Sequence, residues 1–136
     1  FKSSTRPHTA QSEFDVSKIN KLPRVDIIYS HLGDDGVLAQ AAIESGAKGI
    51  VNAGTGNGTV SKYLFPTLEK AVKDGIVVVR ASRVPSGVVT TSKPDWDKAG
   101  FISSGSLNPQ KSRILLQLAL TKTQDKKVIE KMFEKY

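Results

Sequence analysis

The chain alternates short apolar runs with segments of helical period, and that alternation constrains its fold more than any other feature. Arg24-Val25-Asp26-Ile27-Ile28-Tyr29, Gly49-Ile50-Val51-Asn52-Ala53 and Ile76 to Ala81 are strand-sized and rich in branched residues. Between them, Val37, Leu38, Ala41, Ala42 and Ser45 recur at helical spacing, as do Leu64, Leu68, Ala71 and Val72. Gly46 and Gly75 supply the helix stops, and Ser61 is placed to cap the second helix. Near-continuous apolar strands separated by helices are what a parallel sheet needs when both of its faces are covered. Further on, Arg83 to Gly100 reads as loop and Phe101 to Ser103 as a short fourth strand. Asn108 or Ser106 can cap a helix that has Pro109 in its first turn and sets Ile114, Leu115, Leu118 and Ala119 against the sheet. A terminal helix buries Val128, Ile129, Met132, Phe133 and Tyr136. The expected fold is α/β: a small, open, Rossmann-like parallel sheet of about four strands flanked by helices.

Composition narrows the chemistry. A chain of 136 residues, 38% hydrophobic and 24% charged, suits one soluble domain. No apolar run approaches the ~20 residues of a membrane-spanning helix, so no membrane partner is expected. With no cysteine, thiol catalysis and thiolate zinc sites are excluded, and with only His8 and His31 a multi-histidine metal site is not expected. Twenty basic residues against thirteen acidic ones give a net charge of +7. The cations alternate with acids, however, as in the Lys126/Glu130 pair one helical turn apart, and no aromatics interleave with them as base-stacking platforms would require. Solvated helix faces are expected, and no nucleic-acid partner. Residues 1–12 are polar and linker-like. The chain opens at Phe1, and a piece of a longer polypeptide is expected, with residues 1–23 leading into a domain over 24–136.

The richest candidate site is the turn Asn52-Ala53-Gly54-Thr55-Gly56-Asn57-Gly58-Thr59, which follows the second strand. Open α/β sheets bind ligands at the carboxyl ends of their strands. Glycines there admit positive φ and let backbone amides approach a ligand. The turn does not complete a dinucleotide fingerprint, because Gly58 stands one place early and the first strand lacks the motif. Asn57 reads equally as a turn former or as a two-way hydrogen-bonding group for a polar substrate. Arg80 and Arg83 flank the end of the third strand and suit either a carboxylate ligand or a salt bridge anchoring the next loop. Asp34 and Asp35 read as turn formers, His8 and His31 as surface histidines, and Trp96 as a loop anchor.

Several landmarks in order resemble the bacterial type II L-asparaginases. They are Asp15-Val16-Ser17-Lys18-Ile19-Asn20-Lys21-Leu22-Pro23, Gly54-Thr55-Gly56-Asn57-Gly58, Arg83-Val84-Pro85-Ser86-Gly87, and the long block from Ser106-Leu107-Asn108-Pro109-Gln110-Lys111-Ser112-Arg113 through Thr121. The match is to that family's smaller C-terminal domain. The resemblance implies a homotetrameric amidohydrolase that converts L-asparagine to L-aspartate and ammonia, with some action on L-glutamine. It further implies a periplasmic location and no metal or organic cofactor. The nucleophilic threonine is expected in a larger N-terminal domain, so these residues alone are expected to be inactive and to hold no catalytic residue. A threonine hydroxyl would attack the side-chain amide, and water would release aspartate from the acyl-enzyme. Asn57 matches the family's asparagine that helps hold the substrate's α-amino end in a neighbouring subunit's site, with Gly54, Gly56 and Gly58 shaping its turn. The family's second contact, a glutamate downstream of the Arg-Val-Pro turn, falls here on Lys93 or Pro94. No glutamate occurs between Glu69 and Glu130, and Asp95 is the neighbouring candidate. The rival reading is a non-catalytic α/β domain that recognises an amino acid.

Overall fold

The structure, a computed structural model, describes residues 11–91 and 93–136. His8 and most of the linker-like start lie outside the described residues. Nine elements follow in order: β1 (Val25–Tyr29), α1 (Val37–Glu44), β2 (Gly49–Gly54), α2 (Phe65–Lys73), β3 (Val77–Ser82), α3 (Pro94–Lys98), β4 (Ile102–Ser103), α4 (Pro109–Leu120) and α5 (Lys126–Lys135). The four strands form one parallel sheet in the order β1-β2-β3-β4, the α/β arrangement expected from the strand and helix alternation.

Side chains alternate across the sheet and separate two apolar layers. Ile28, Ile50 and Val78 pack with Ala39, Ala42, Leu64, Leu68, Ala71, Trp96 and Phe101 on the face covered by α1, α2 and α3. Val25, Val51, Val79 and Ile102 pack with Leu115, Leu116, Ala119, Ile129, Met132 and Phe133 on the face covered by α4 and α5. β2 and β3 are buried along nearly their whole length, which is why they read as unbroken apolar runs.

Several local expectations hold in chemical detail. Asn108 caps α4, its Oδ1 accepting from the Lys111 backbone N–H at 2.8 Å with Pro109 behind it. Gly46 adopts φ 83° at the end of α1. Asp34 and Asp35 form turns, their carboxylates accepting from the backbone N–H groups of Gly36 and Val37. Lys126 pairs with Glu130 at 3.4 Å, and Lys70–Asp74 and Lys73–Glu69 repeat that solvated spacing on α2.

Other expectations are corrected. α1 turns Ala39 and Ala42 to the sheet and leaves Val37, Leu38 and Ala41 exposed, because an eight-residue helix packed closely on a sheet favours its smallest side chains. α4 buries Leu116 in place of Ile114, and Val128 of α5 is exposed. α2 starts at Phe65, so Ser61 caps the turn ahead of it by accepting from the Leu64 N–H. The segment from Arg83 to Gly100 holds the five-residue helix α3, too short to show a period. The start of the described chain docks on α5: the Phe14 and Tyr136 rings lie 5.5 Å apart, and Lys135 pairs with Glu13 at 2.9 Å.

Candidate functional site

The turn after β2 is closed by contacts that require glycine at two places. A Cβ on Gly54 would meet the Thr59 carbonyl oxygen at 2.2 Å and the Thr59 nitrogen at 2.7 Å. Gly58 has φ +65°, and a Cβ there would meet Val89 at 3.0 Å and Arg80 at 3.3 Å. Gly56, also at positive φ, faces open space. Thr59 N–H returns to the Thr55 carbonyl at 2.9 Å, so the loop doubles back within four residues. Its crest is Asn57, half-buried, at the carboxyl end of the sheet.

Both ends of the Asn57 carboxamide are engaged by one residue. Oδ1 accepts from the Thr90 backbone N–H at 2.7 Å, and Nδ2 donates to Thr90 Oγ1 at 3.2 Å. Thr90 lies in the loop after β3, beside Val89, whose N–H donates to the Gly105 carbonyl at 2.8 Å. One lone pair on Oδ1 and one N–H on Nδ2 remain for an incoming group. The first suits an ammonium donor, and the second a carboxylate or carbonyl acceptor.

Beneath this crest each of the two central strands carries one buried polar residue within its apolar run. Asn52 and Arg80 sit opposite each other in the β2–β3 register and both are fully buried. Asn52 accepts from Ser30 Oγ at 2.8 Å and donates to the Thr59 carbonyl at 3.1 Å. Arg80 Nη1 donates to the Asn57 carbonyl at 2.9 Å and, more weakly, to Gly58 at 3.5 Å. Its Nη2 donates to the Thr90 carbonyl at 2.9 Å and to Ser103 Oγ at 3.0 Å. The guanidinium lies 4.5 Å over the Trp96 ring, with the Lys93 ammonium 4.8 Å from that ring. Burial pushes the Arg80 pKa down and Asp97 partly opposes it; the group remains a cation. Arg80 therefore anchors the loop after β3, and the turn after β2 as well, through carbonyl oxygens and not through the expected salt bridge.

The remaining candidates are spread out. Arg83 is exposed and donates to the Ser30 carbonyl at 3.1 Å, over the Tyr29 ring. His31 is a surface residue whose Nδ1 lies 2.9 Å from the Leu32 carbonyl. Together Arg83, His31, Ser30, Thr55, Thr59 and Ser61 line a shallow hollow of about 250 Å³ at the strand ends. Asp95, exposed in the first turn of α3, lines a different groove of about 550 Å³ with Lys62, Phe65, Glu69, Trp96 and Lys98. Asn57 does not line that groove. Trp96 is buried on α3 and anchors it. Among the described residues, no group of three or more acidic or histidine side chains could hold a metal ion. Sequence reasoning missed Thr90 altogether and gave Asn52 no role beyond its place in the turn. For Asn52 and Arg80 the readable signal is a polar residue inside a run that must be buried on both faces; for Thr90 there was none.

Residues 24–133 match the Glutaminase/Asparaginase C-terminal domain family. The chain belongs to that family. It is 49% identical over 132 residues to L-asparaginase 2 of Escherichia coli, covering 96% of this chain and 38% of that protein. It is 49% identical to the probable periplasmic L-asparaginase of Haemophilus influenzae, over 95% of this chain and 37% of the relative. The Pseudomonas fluorescens glutaminase-asparaginase is 41% identical, with 100% of this chain and 38% of the relative covered. A solved structure described as a probable cytoplasmic L-asparaginase from Campylobacter jejuni superposes with a TM-score of 0.90 at 51% identity, over 96% of this chain and 42% of that one. The chain thus spans about two-fifths of its relatives' length. Their names point to both periplasm and cytoplasm.

Proposed function

We propose that this chain is the C-terminal domain of an L-asparaginase, with residues 1–23 leading into a domain over 24–136. In this reading it completes the active site of a neighbouring subunit in a homotetramer, and Asn57 is the contact it contributes. The threonine nucleophile comes from a larger N-terminal domain, the substrates are L-asparagine and secondarily L-glutamine, and the enzyme works in the periplasm. The observation that carries this reading is the Asn57 carboxamide. Family membership supplies the reaction, and Thr90 holds the amide at the strand ends with one acceptor and one donor position still unused.

The α-ammonium of the substrate donates to Asn57 Oδ1, which fixes the amino-acid end while the side-chain amide is attacked. Asp95 is assigned the acidic contact that the family gives to a glutamate. That assignment is supported by its exposed position on α3, beside Lys93 and Pro94. The shorter carboxylate makes the smaller contribution of the two. The relatives described above are all named as asparaginases or glutaminase-asparaginases, which favours this reading over a non-catalytic amino-acid sensor.

The test is ammonia release by the full-length protein that carries this chain, with L-asparagine and L-glutamine as substrates. Release from L-asparagine, faster than from L-glutamine, is expected. A correctly folded full-length protein that releases ammonia from neither would end the proposal, and uptake of L-asparagine without turnover would favour the sensor.

A further inference from the structure

A fully buried guanidinium is costly, and an apolar side chain of similar volume would often pack there at lower cost. Arg80 is nevertheless the largest completely enclosed side chain among the described residues, and no ion pair there involves it. What a guanidinium does that an apolar group cannot is bind several acceptors at fixed angles. Its acceptors here come from three separate segments: the turn at 57–58, the loop at Thr90, and β4 at Ser103. The two loops it gathers are the same two that meet through the Asn57 carboxamide and Thr90.

We propose that Arg80 and Thr90 are positioning residues for substrate recognition: the guanidinium clamps the carbonyls of Asn57 and Thr90, and Thr90 fixes which way the Asn57 carboxamide points. This rests on the reading of Asn57 as a substrate contact. Thr90 offers a fixed donor, its backbone N–H, to Oδ1, and a hydroxyl that accepts from Nδ2. A flipped carboxamide would set the Nδ2 hydrogens against the Thr90 N–H and lose that bond, the only one of the two whose direction is fixed, since the hydroxyl can pair with either end. The Oδ1 lone pair left over is therefore held in one direction, set by a loop 33 residues away in sequence. Arg80 supplies the backbone registration that this pairing needs, and the Trp96 ring lies over the guanidinium at 4.5 Å.

The experiment is a set of substitutions in the full-length protein: Asn57→Ala, Arg80→Lys, Thr90→Ala and Thr90→Ser, singly and with Asn57→Ala. The steady-state readout is ammonia release from L-asparagine. Arg80→Lys and Thr90→Ala are each expected to raise KM by about 5- to 20-fold with kcat changed less than about threefold, and Thr90→Ser should restore most of the loss. In the Asn57→Ala background, each should add less than about twofold, because the group they position is gone. Costs that multiply undiminished on top of Asn57→Ala would overturn the proposal, as would a wild-type KM for Thr90→Ala. Thr90 is exposed and its alanine variant keeps both backbone bonds, so it carries the test even where Arg80→Lys does not fold.

A second readout separates this proposal from the reading beneath it. Hydrogen exchange of the Thr90 amide, protected by Asn57 Oδ1, is expected to quicken about tenfold in Arg80→Lys. Unchanged exchange would overturn the clamp whatever the kinetics show. Wild-type kinetics for Asn57→Ala, with exchange quickened, would instead remove the recognition role of Asn57 and leave the clamp as structure alone.

Discussion

Four consecutive residues of β3, Val77 to Arg80, are all buried, yet they live in two different environments. Val77 and Val79 face α4 and α5 across an apolar layer, and Val78 faces α2 across another. One step further, Arg80 is equally enclosed but is surrounded by carbonyl oxygens, a hydroxyl and an indole face. The amino-terminal half of the strand is held by packing that is tolerant in direction. The carboxyl-terminal half is held by bonds that fail if a loop moves by an ångström. Ligand-handling loops in open α/β sheets sit at this second end, and the cost of burying polar groups is accepted there because direction matters more than area.

Alanine substituted for one residue of the apolar layer and for one at the strand-end turn should separate the two roles. Leu116 is fully buried against the sheet and occupies the space left by Gly49, where a Cβ would lie 2.6 Å from its Cδ2. Leu116→Ala is expected to destabilise the fold by about 2–5 kcal/mol, read by urea denaturation. Asparagine kinetics of the variant that remains folded should stay near wild type. Asn57→Ala should show the reverse pattern. Losing one substrate hydrogen bond costs about 1–3 kcal/mol in transition-state binding, or roughly 5- to 150-fold in kcat/KM. Its effect on denaturation should be below about 1 kcal/mol, since the residue is half-buried and its partner Thr90 is exposed. Were Asn57→Ala to unfold the protein while sparing kcat/KM, the division between the two ends of β3 would be lost.

How far the sequence could be read follows the same division. The parallel sheet was legible because β2 and β3 are apolar on both faces, and the α4 start was legible because Asn108 and Pro109 act through local geometry. The outward-facing stripe of α1 was not: Val37 and Leu38 have helical spacing, but periodicity does not say which stripe meets the sheet, and Ala39 and Ala42 fit the close approach. α3 spans barely more than one turn and leaves no period to detect. At the site, the glycines and Asn57 stood out because each turn position has a local requirement. Thr90 did not, because its role is set by contact with a turn 33 residues away in sequence. Arg80 was visible as a residue, but its role was misread. A charge in a doubly covered strand suggests an ionic partner, whereas the available acceptors are backbone carbonyls of chain segments whose approach only the fold determines.

A cap belongs to the legible part, so its loss should be local and modest. Asn108→Ala removes the acceptor for the Lys111 N–H and is expected to cost about 1 kcal/mol by urea denaturation. Kinetics should be untouched, because the cap lies at the start of α4, outside the Asn57 turn and the Thr90 loop.

The smallest effect belongs to the pairing that ties the chain's start to α5. The hydrogen bond from Lys135 holds the Glu13 carboxyl below its ordinary value, against an opposing effect of burial. A carboxyl depressed on folding stabilises the fold at pH values above its unfolded pKa, near 4.3. That contribution fades as pH falls through the lower folded value, where the native state must also take up the proton. Glu13→Gln should therefore lower Tm by about 1–2 °C at pH 7, with the gap to wild type closing towards pH 3. High salt should narrow the same gap at pH 7, because both partners are partly exposed and screened. A gap that persists unchanged at pH 3 would assign the loss to packing around Phe14 and Tyr136 and not to the ion pair.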